Sequence, residues 1–582
     1  MVTTKAAAAP ALDKPWRRPG AARYALSRMR GLARLRTRVY EPPPGTLTID
    51  HDVAVTMRDG TVLRANIYRP PGEGRFPVLL AAHPYGKDKL PAKTLFGYRV
   101  SVQYRVLRQT DKVHFSTLTG WEAPDPAWWT ERGYTVVDCD LRGAGTSDGR
   151  GVLLSDQEGE DVYDLIEWAG AQPWSTGAVG MLGVSYLAMS QWKAAALRPP
   201  SLKAMCPWEG FTDAYRGLFR PGGIREDGFV KQWMKALKGA RLAYDLAEEQ
   251  RRRPLRDKWW QSLVPHLERI EVPILVCGSF SDNSLHSRGA IRAFEQVSST
   301  DRFLYTHRGG KWATFYSPQA LQVQLAFFDR YLRQRDIGPP PRVRLEVRES
   351  RDQVAEVREE SSWPLDRTRW TPLYLTTSGL STEAATEQGS ITFDTASRGV
   401  RFGWNVVADT ELTGPMSLRL FVEVTDVDDV ELFVGVEKWR GTRYVPFEGS
   451  YGFGRDRITT GWQKASLRAL DPAHSRPFEP VPTLSTYQPL RPGEVTAVDI
   501  ALGPSATLFR RGEQLRLVVA GRWLWPRNML TGQFPAAYER GPGGRCTLHW
   551  GPKRGGYLLV PLIPTAPNRA GRAMLRDTVS VP

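Results

Sequence analysis

The chain has 582 residues, 41% of them apolar and 24% charged, and carries a formal net charge of +17. That length exceeds a single hydrophobic core and implies roughly two to four domains. The 44 prolines and 53 glycines argue against a long-helix protein, and the four cysteines, Cys139, Cys206, Cys277 and Cys546, are too widely spaced for a zinc pair or a disulfide framework.

The first 45 residues are basic, with ten Lys or Arg against Asp13 and Glu41. Tyr24, Leu26, Met29, Leu32, Leu35 and Val39 recur at helical spacing, which predicts an amphipathic helix over Tyr24 to Val39. Such a helix docks on its own protein or on a sister subunit, giving a homo-oligomer; an anionic lipid surface is the other partner it suits. Nucleic acid is not an expected partner, because no helix-turn-helix, zinc or stacking motif accompanies the charge. The run Ala6 to Pro10 is too short for a secretory h-region and leads into Asp13 and Lys14. With no run approaching about 18 apolar residues, no transmembrane segment is expected. The expected location is cytoplasmic.

Residues 47–70 alternate around the turn Arg58-Asp59-Gly60 and predict a β-hairpin. Phe76 to Ala82, Tyr134 to Asp140, Val179 to Val184, Leu202 to Cys206, Ile274 to Cys277 and Arg302 to Thr306 are short apolar runs of the kind that form buried parallel strands. Helical stretches, including Glu160 to Ala169, lie between them, so the fold class is α/β with a mostly parallel sheet. Residues 208–271 interrupt this pattern with charged, Trp-containing helical sequence and predict a helical cap. Beyond about residue 340 short apolar runs recur between turns, as in a β-sandwich. The expected organisation is a basic extension (1–45), a core in two parts (46–207 and 272–340) flanking the cap (208–271), and a C-terminal sandwich (341–582).

The stretch Gly180-Met181-Leu182-Gly183-Val184-Ser185-Tyr186-Leu187-Ala188 reads as strand, sharp turn and helix, the layout that lifts a nucleophilic serine out of an α/β-hydrolase sheet. A serine hydroxyl needs a base, an orienting acid and an oxyanion hole. In that fold the acid and then the base follow the serine in the chain. Asp282, just past the strand Ile274 to Cys277, is the candidate acid. His307, ending the strand Phe303 to Thr306, is the candidate base; His286 and Lys311 are alternatives. The backbone N–H of Tyr186 and the hydroxyl of Tyr85, in the loop His83-Pro84-Tyr85-Gly86, are the candidate oxyanion donors.

These residues resemble the cocaine esterase and X-Pro dipeptidyl-peptidase family of serine hydrolases, which includes α-amino-acid ester hydrolases and glutaryl acylases. The matching stretches are His83-Pro84-Tyr85, Asp140-Leu141-Arg142-Gly143-Ala144-Gly145-Thr146-Ser147-Asp148-Gly149, Gln172-Pro173-Trp174-Ser175, Gly183-Val184-Ser185-Tyr186, Ser279 to His286, Phe327-Phe328-Asp329 and Leu412-Thr413-Gly414-Pro415. The resemblance runs from about residue 47 to the C-terminus. It implies an α/β-hydrolase core, a helical cap and a C-terminal jelly roll. It also implies Ser185 as nucleophile, Asp282 as acid, and an oxyanion hole from Tyr85 and Tyr186. One departure stands out. The family places its histidine in a Gly-Pro-Trp-x-His-like segment, and that position here falls near Lys311-Trp312.

The expected activity is cofactor-independent and metal-free hydrolysis of a small-molecule ester or amide through an acyl-enzyme. A dipeptidyl-peptidase or acylase is the alternative within the same chemistry. A weakened or acyl-transferring relative, whose altered triad binds a ligand or partner, is the alternative outside it.

Overall fold

Ten strands form the central sheet of the computed structural model, which describes residues 37–95, 97–101, 104, 113–396, 399–450, 456–525 and 536–564. In spatial order they are Thr48–Thr56, Val62–Arg69, Thr135–Asp140, Phe76–His83, Ser175–Val184, Leu202–Trp208, Ile274–Ser279, Arg302–His307, Val343–Ser350 and Gln353–Glu360. The six from Thr135–Asp140 to Arg302–His307 run parallel. Most of their residues are apolar and buried because helices cover both faces. The helices Asp156–Ala171, Tyr186–Ala196 and Pro318–Arg333 pack here. Ser155 and Ser317 cap the first and last of these, each accepting a backbone N–H.

Val343–Ser350 and Gln353–Glu360, expected in the sandwich, continue the core sheet through the pairing of Val343 with Leu304, and Val343–Ser350 also meets Thr496–Phe509 of the C-terminal part. The predicted amphipathic helix over Tyr24 to Val39 lies outside the described residues up to position 36. Its end is strand: Thr37–Tyr40 pairs in parallel with Val113–Ser116.

Between the core strands Leu202–Trp208 and Ile274–Ser279 the chain forms helices Gly228–Ala236, Leu246–Arg252 and Lys258–Ser262. The first starts over Glu226, whose buried carboxylate accepts the backbone N–H groups of Gly228, Phe229, Val230 and Ala537. Ala537 belongs to the C-terminal part, so one carboxylate joins the cap to it.

The C-terminal part is antiparallel. The long strand Thr410–Thr425 pairs with Thr496–Phe509 on one side and with Arg545–Trp550 and Tyr557–Ile563 on the other. Glu513–Ala520 joins Gly399–Asn405 and Glu431–Arg440 in a second group. Side chains from both groups share one buried cluster, including Leu418, Leu420, Val434, Ile500 and Leu517, so the two sheets pack face to face. Arg308, fully buried at the end of a core strand, donates to the carbonyls of Arg457 and Ile458 at 2.6 and 2.8 Å and lies over the Phe447 ring.

Candidate active site

Ser185 sits between the end of Ser175–Val184 and the start of Tyr186–Ala196 with φ 60° and ψ −113°, a strained conformation for a non-glycine residue. The turn is tight enough to dictate its neighbours. A Cβ on Gly183 would lie 2.3 Å from Leu187 Cβ, and one on Gly210 would lie 2.8 Å from Ala188 Cβ. Small residues at 183, 188 and 210 therefore follow from the close approach of strand and helix. Glu122 and Glu209, which flank the site, also have positive φ.

The histidine that meets Ser185 is His286. Its Nε2 lies 3.0 Å from Ser185 Oγ, and its ring is buried and stacked on Phe211. It is delivered by the turn after Ile274–Ser279, where the Asp282 carbonyl accepts the N–H groups of Leu285, His286 and Ser287. His286 thus stands at the entry to the helix Ser287–Gln296. Its Nδ1 accepts the backbone N–H of Phe211 at 3.2 Å. Burial, reinforced by the nearby Lys311 ammonium, holds its pKa well below that of an ordinary histidine.

His307, the candidate base from sequence, takes a different partner. Its Nε2 is 2.9 Å from Glu209 Oε1, and its Nδ1 accepts the Gly309 N–H at 3.2 Å. The physical reason lies in the sheet: His307 ends its strand, and its ring turns to Glu209, which follows the strand two places away. Asp282 is not paired with an imidazole either. Lys311 Nζ lies 2.8 Å from Asp282 Oδ2 and 4.0 Å from Glu209 Oε2. Burial raises the Asp282 carboxyl and Lys311 opposes that rise, while three carboxylates outweigh burial to keep Lys311 an ammonium. Behind Lys311, Trp312 Nε1 donates to Glu122 Oε1 at 3.0 Å, and burial pushes the Glu122 carboxyl up to about 7.

Tyr85 and Tyr186 come together across the site with ring centroids 6.1 Å apart. Tyr85 Oη accepts the Trp233 Nε1–H from the cap at 3.1 Å, leaving its own proton to donate. The Tyr186 N–H opens a helix, where backbone donors have no partner within the helix. The Tyr186 hydroxyl donates to Glu158 Oε2 at 2.7 Å. Tyr85 also lines a cavity of about 560 Å³ with Lys89, Tyr104, Phe115 and Trp121. That size suits a small organic ligand.

The remaining motifs build the frame. Arg142 makes a bidentate pair with Asp161, and Asp140 Oδ1 accepts the Lys87 N–H at 2.7 Å. A Cβ on Gly145 would lie 1.9 Å from Asp140 Oδ2, which explains the glycine in that loop. Glu209, Cys277 and His307 bring three metal-binding atoms within 4.8 Å of one another. The Lys311 ammonium beside Glu209 opposes a metal cation at that place.

The fold and this site define an α/β-hydrolase with a serine at the strand–helix turn. Residues 59–252 match the X-Pro dipeptidyl-peptidase (S15 family), and residues 336–523 match the X-Pro dipeptidyl-peptidase C-terminal non-catalytic domain. A CocE/NonD family hydrolase from Staphylococcus aureus is 34% identical, with a TM-score of 0.83 covering 89% of this chain and 94% of that one. Cocaine esterase from Rhodococcus sp. (strain MB1 Bresler) is 28% identical over 64% of this chain and 68% of its own. An α-amino acid ester hydrolase shares the fold at 17% identity, with a TM-score of 0.65 over 90% of this chain and 98% of that one. The chain belongs to the CocE/NonD family of hydrolases, and it is a serine hydrolase.

Proposed function

We propose that this protein hydrolyses carboxylic esters of small molecules through an acyl-enzyme on Ser185. The observation that carries the proposal is Ser185 itself: held at positive φ above a parallel sheet, with Oγ 3.0 Å from a buried imidazole. Ser185 Oγ attacks the ester carbonyl. The Tyr85 hydroxyl and the Tyr186 N–H receive the oxyanion, the alcohol leaves, and water releases the acid. Asp282 and Lys311 act as a buried ion pair beside the serine rather than as acid and base of a triad.

An ester is favoured over a peptide with a free amino terminus. Such a peptide needs a carboxylate to hold its ammonium. In the cap, buried Glu226 is occupied by backbone N–H groups, and Asp213 is paired with Arg216 and Arg256. Cocaine esterase, a relative over most of the chain, is an esterase by name.

The paired sheets of the C-terminal part suit a jelly roll, with Thr410–Thr425 bridging strands distant in the chain. The cytoplasm is the proposed location, supported by four buried cysteines that are all free thiols. Among the described residues no helix is long and apolar enough to cross a membrane.

Incubation with a fluorophosphonate probe and an aryl ester tests the proposal. The wild type is expected to label at Ser185 and to turn over. Ser185→Ala is expected to lose both, and unchanged turnover in that variant overturns the reading.

A further inference from the structure

We infer that His286 acts on Ser185 as a hydrogen-bond donor that positions Oγ, and not as the base that takes its proton. The inference rests on Ser185 being the nucleophile and concerns only what its imidazole neighbour does.

The argument is one of donors and acceptors. A neutral imidazole has one N–H and one lone pair. The Phe211 backbone N–H points at His286 Nδ1 at 3.2 Å, and a backbone N–H only donates. Nδ1 is therefore the lone pair and Nε2 carries the hydrogen. Nε2 lies 3.0 Å from Ser185 Oγ, so the ring donates and the serine oxygen accepts. Rotating the ring by a half-turn would set carbon atoms against both partners and lose both bonds.

A serine–histidine base works the other way round. There Nδ1 carries the hydrogen, a carboxylate receives it, and Nε2 offers its lone pair to the hydroxyl. Here the place of that carboxylate is taken by the Phe211 N–H, which repels a protonated Nδ1. The nearby acid, Asp282, is bound to Lys311 at 2.8 Å. An imidazolium at position 286 would face the Phe211 dipole on one side and the Lys311 ammonium in its surroundings, with no carboxylate of its own. The Nε2–H instead favours negative charge on Oγ. The serine proton then passes to a solvent hydroxide ion, giving water and an alkoxide that keeps the Nε2–H bond, and the ester's leaving alkoxide takes a proton from water and returns the hydroxide. The groups that titrate or carry charge around this pair are Lys311, Asp282, Glu209, Glu122 and His307 behind it, and Tyr85 and the Tyr186–Glu158 pair across from it.

The decisive variant is His286→Gln, whose amide carries a donor at one end and an acceptor at the other. Turnover of an aryl ester is measured against pH in wild type, His286→Gln and His286→Ala. The expected result is that His286→Gln keeps turnover within about a hundredfold and that its pH profile superimposes on that of the wild type, while His286→Ala falls further. Titration of the surrounding carboxyls is common to both profiles and cancels. A loss beyond about a hundredfold in His286→Gln, the range a lost general base produces, overturns the inference. So does a wild-type inflection that the Gln variant lacks. Nitrogen-15 NMR of the wild-type imidazole reads the same point without a substitution. A protonated Nε2 with a bare Nδ1 supports the inference, and a protonated Nδ1 overturns it. Ser185→Ala separates the two readings, because retained turnover there removes the nucleophile and leaves the tautomer result standing.

Discussion

Lys311 Nζ and Asp282 Oδ2 stand 2.8 Å apart, and each side chain is only 1% exposed. Two charges withdrawn from water this completely depend on each other. Asp282→Asn leaves a buried ammonium short of its nearest carboxylate, and removing one partner of such a pair costs about 3–5 kcal/mol. Asp282→Asn is expected to lower the thermal unfolding temperature clearly, and Asp282→Asn with Lys311→Met to recover most of the loss. If Asp282 instead oriented a catalytic imidazole, the single variant would cut turnover at unchanged stability.

Tyr85 joins the core loop to the cap through Trp233. Loss of one oxyanion donor costs on the order of 10²–10³ in kcat. Tyr85→Phe is expected to fall by that much with KM little changed. Trp233→Phe removes the bond that aims the phenol, keeps an aromatic ring against Tyr186 and Phe219, and is expected to lose about tenfold or less. Steady-state kinetics on one aryl ester compare the two, and equal losses would refute the order proposed.

Glu158 gives the fold a pH dependence. Burial pushes its carboxyl from an ordinary 4.5 to about 8, against the donated bond of Tyr186. Between those values the folded protein holds a proton that the unfolded chain has released, so stability falls as pH rises through that window. Buried Glu122 and Glu226, both raised to about 7, act in the same direction. Glu158→Gln stays neutral and still accepts from Tyr186, so its unfolding temperature is expected to decline less between pH 5 and 8. A slope as steep as that of the wild type refutes the assignment.

Gly183→Ala tests the turn. Its Cβ would meet Leu187 Cβ at 2.3 Å, well inside contact distance. The variant is expected to lose fluorophosphonate labelling together with stability, measured on the same preparation. Full labelling would mean that the strand and helix separate more easily than the structure indicates.

The sheet was legible in the sequence because strands buried on both faces leave continuous apolar runs, as in Phe76 to Ala82 and Val179 to Val184. Ser185 was legible because its strained turn forces Gly183 and Ala188 into the chain. The partners of Ser185 were not. Nothing local in the sequence says that the ring of His307 turns to Glu209, which lies 98 positions away and meets it only across the sheet. His286 reads as a helix-entry residue, and its contact with Ser185 depends on three backbone bonds to the Asp282 carbonyl. Asp282 lies four residues before His286, yet its side-chain partner is Lys311, at the position where the family's histidine is expected. The edge strands Val343–Ser350 and Gln353–Glu360 alternate like sandwich strands, and nothing in that pattern shows that they also continue the core sheet.

Arg308 ties the core of this enzyme to its C-terminal part. Its guanidinium belongs to the core, its acceptors are carbonyls of Arg457 and Ile458, and Glu226 of the cap reaches across to Ala537 in the same way. A core cut free of its C-terminal part would carry a guanidinium facing lost partners and a cap helix with a loosened start. Exchange of C-terminal domains between relatives is then constrained by backbone carbonyls at 457 and 458 as well as by the ion pairs Arg225–Glu539 and Arg292–Glu479.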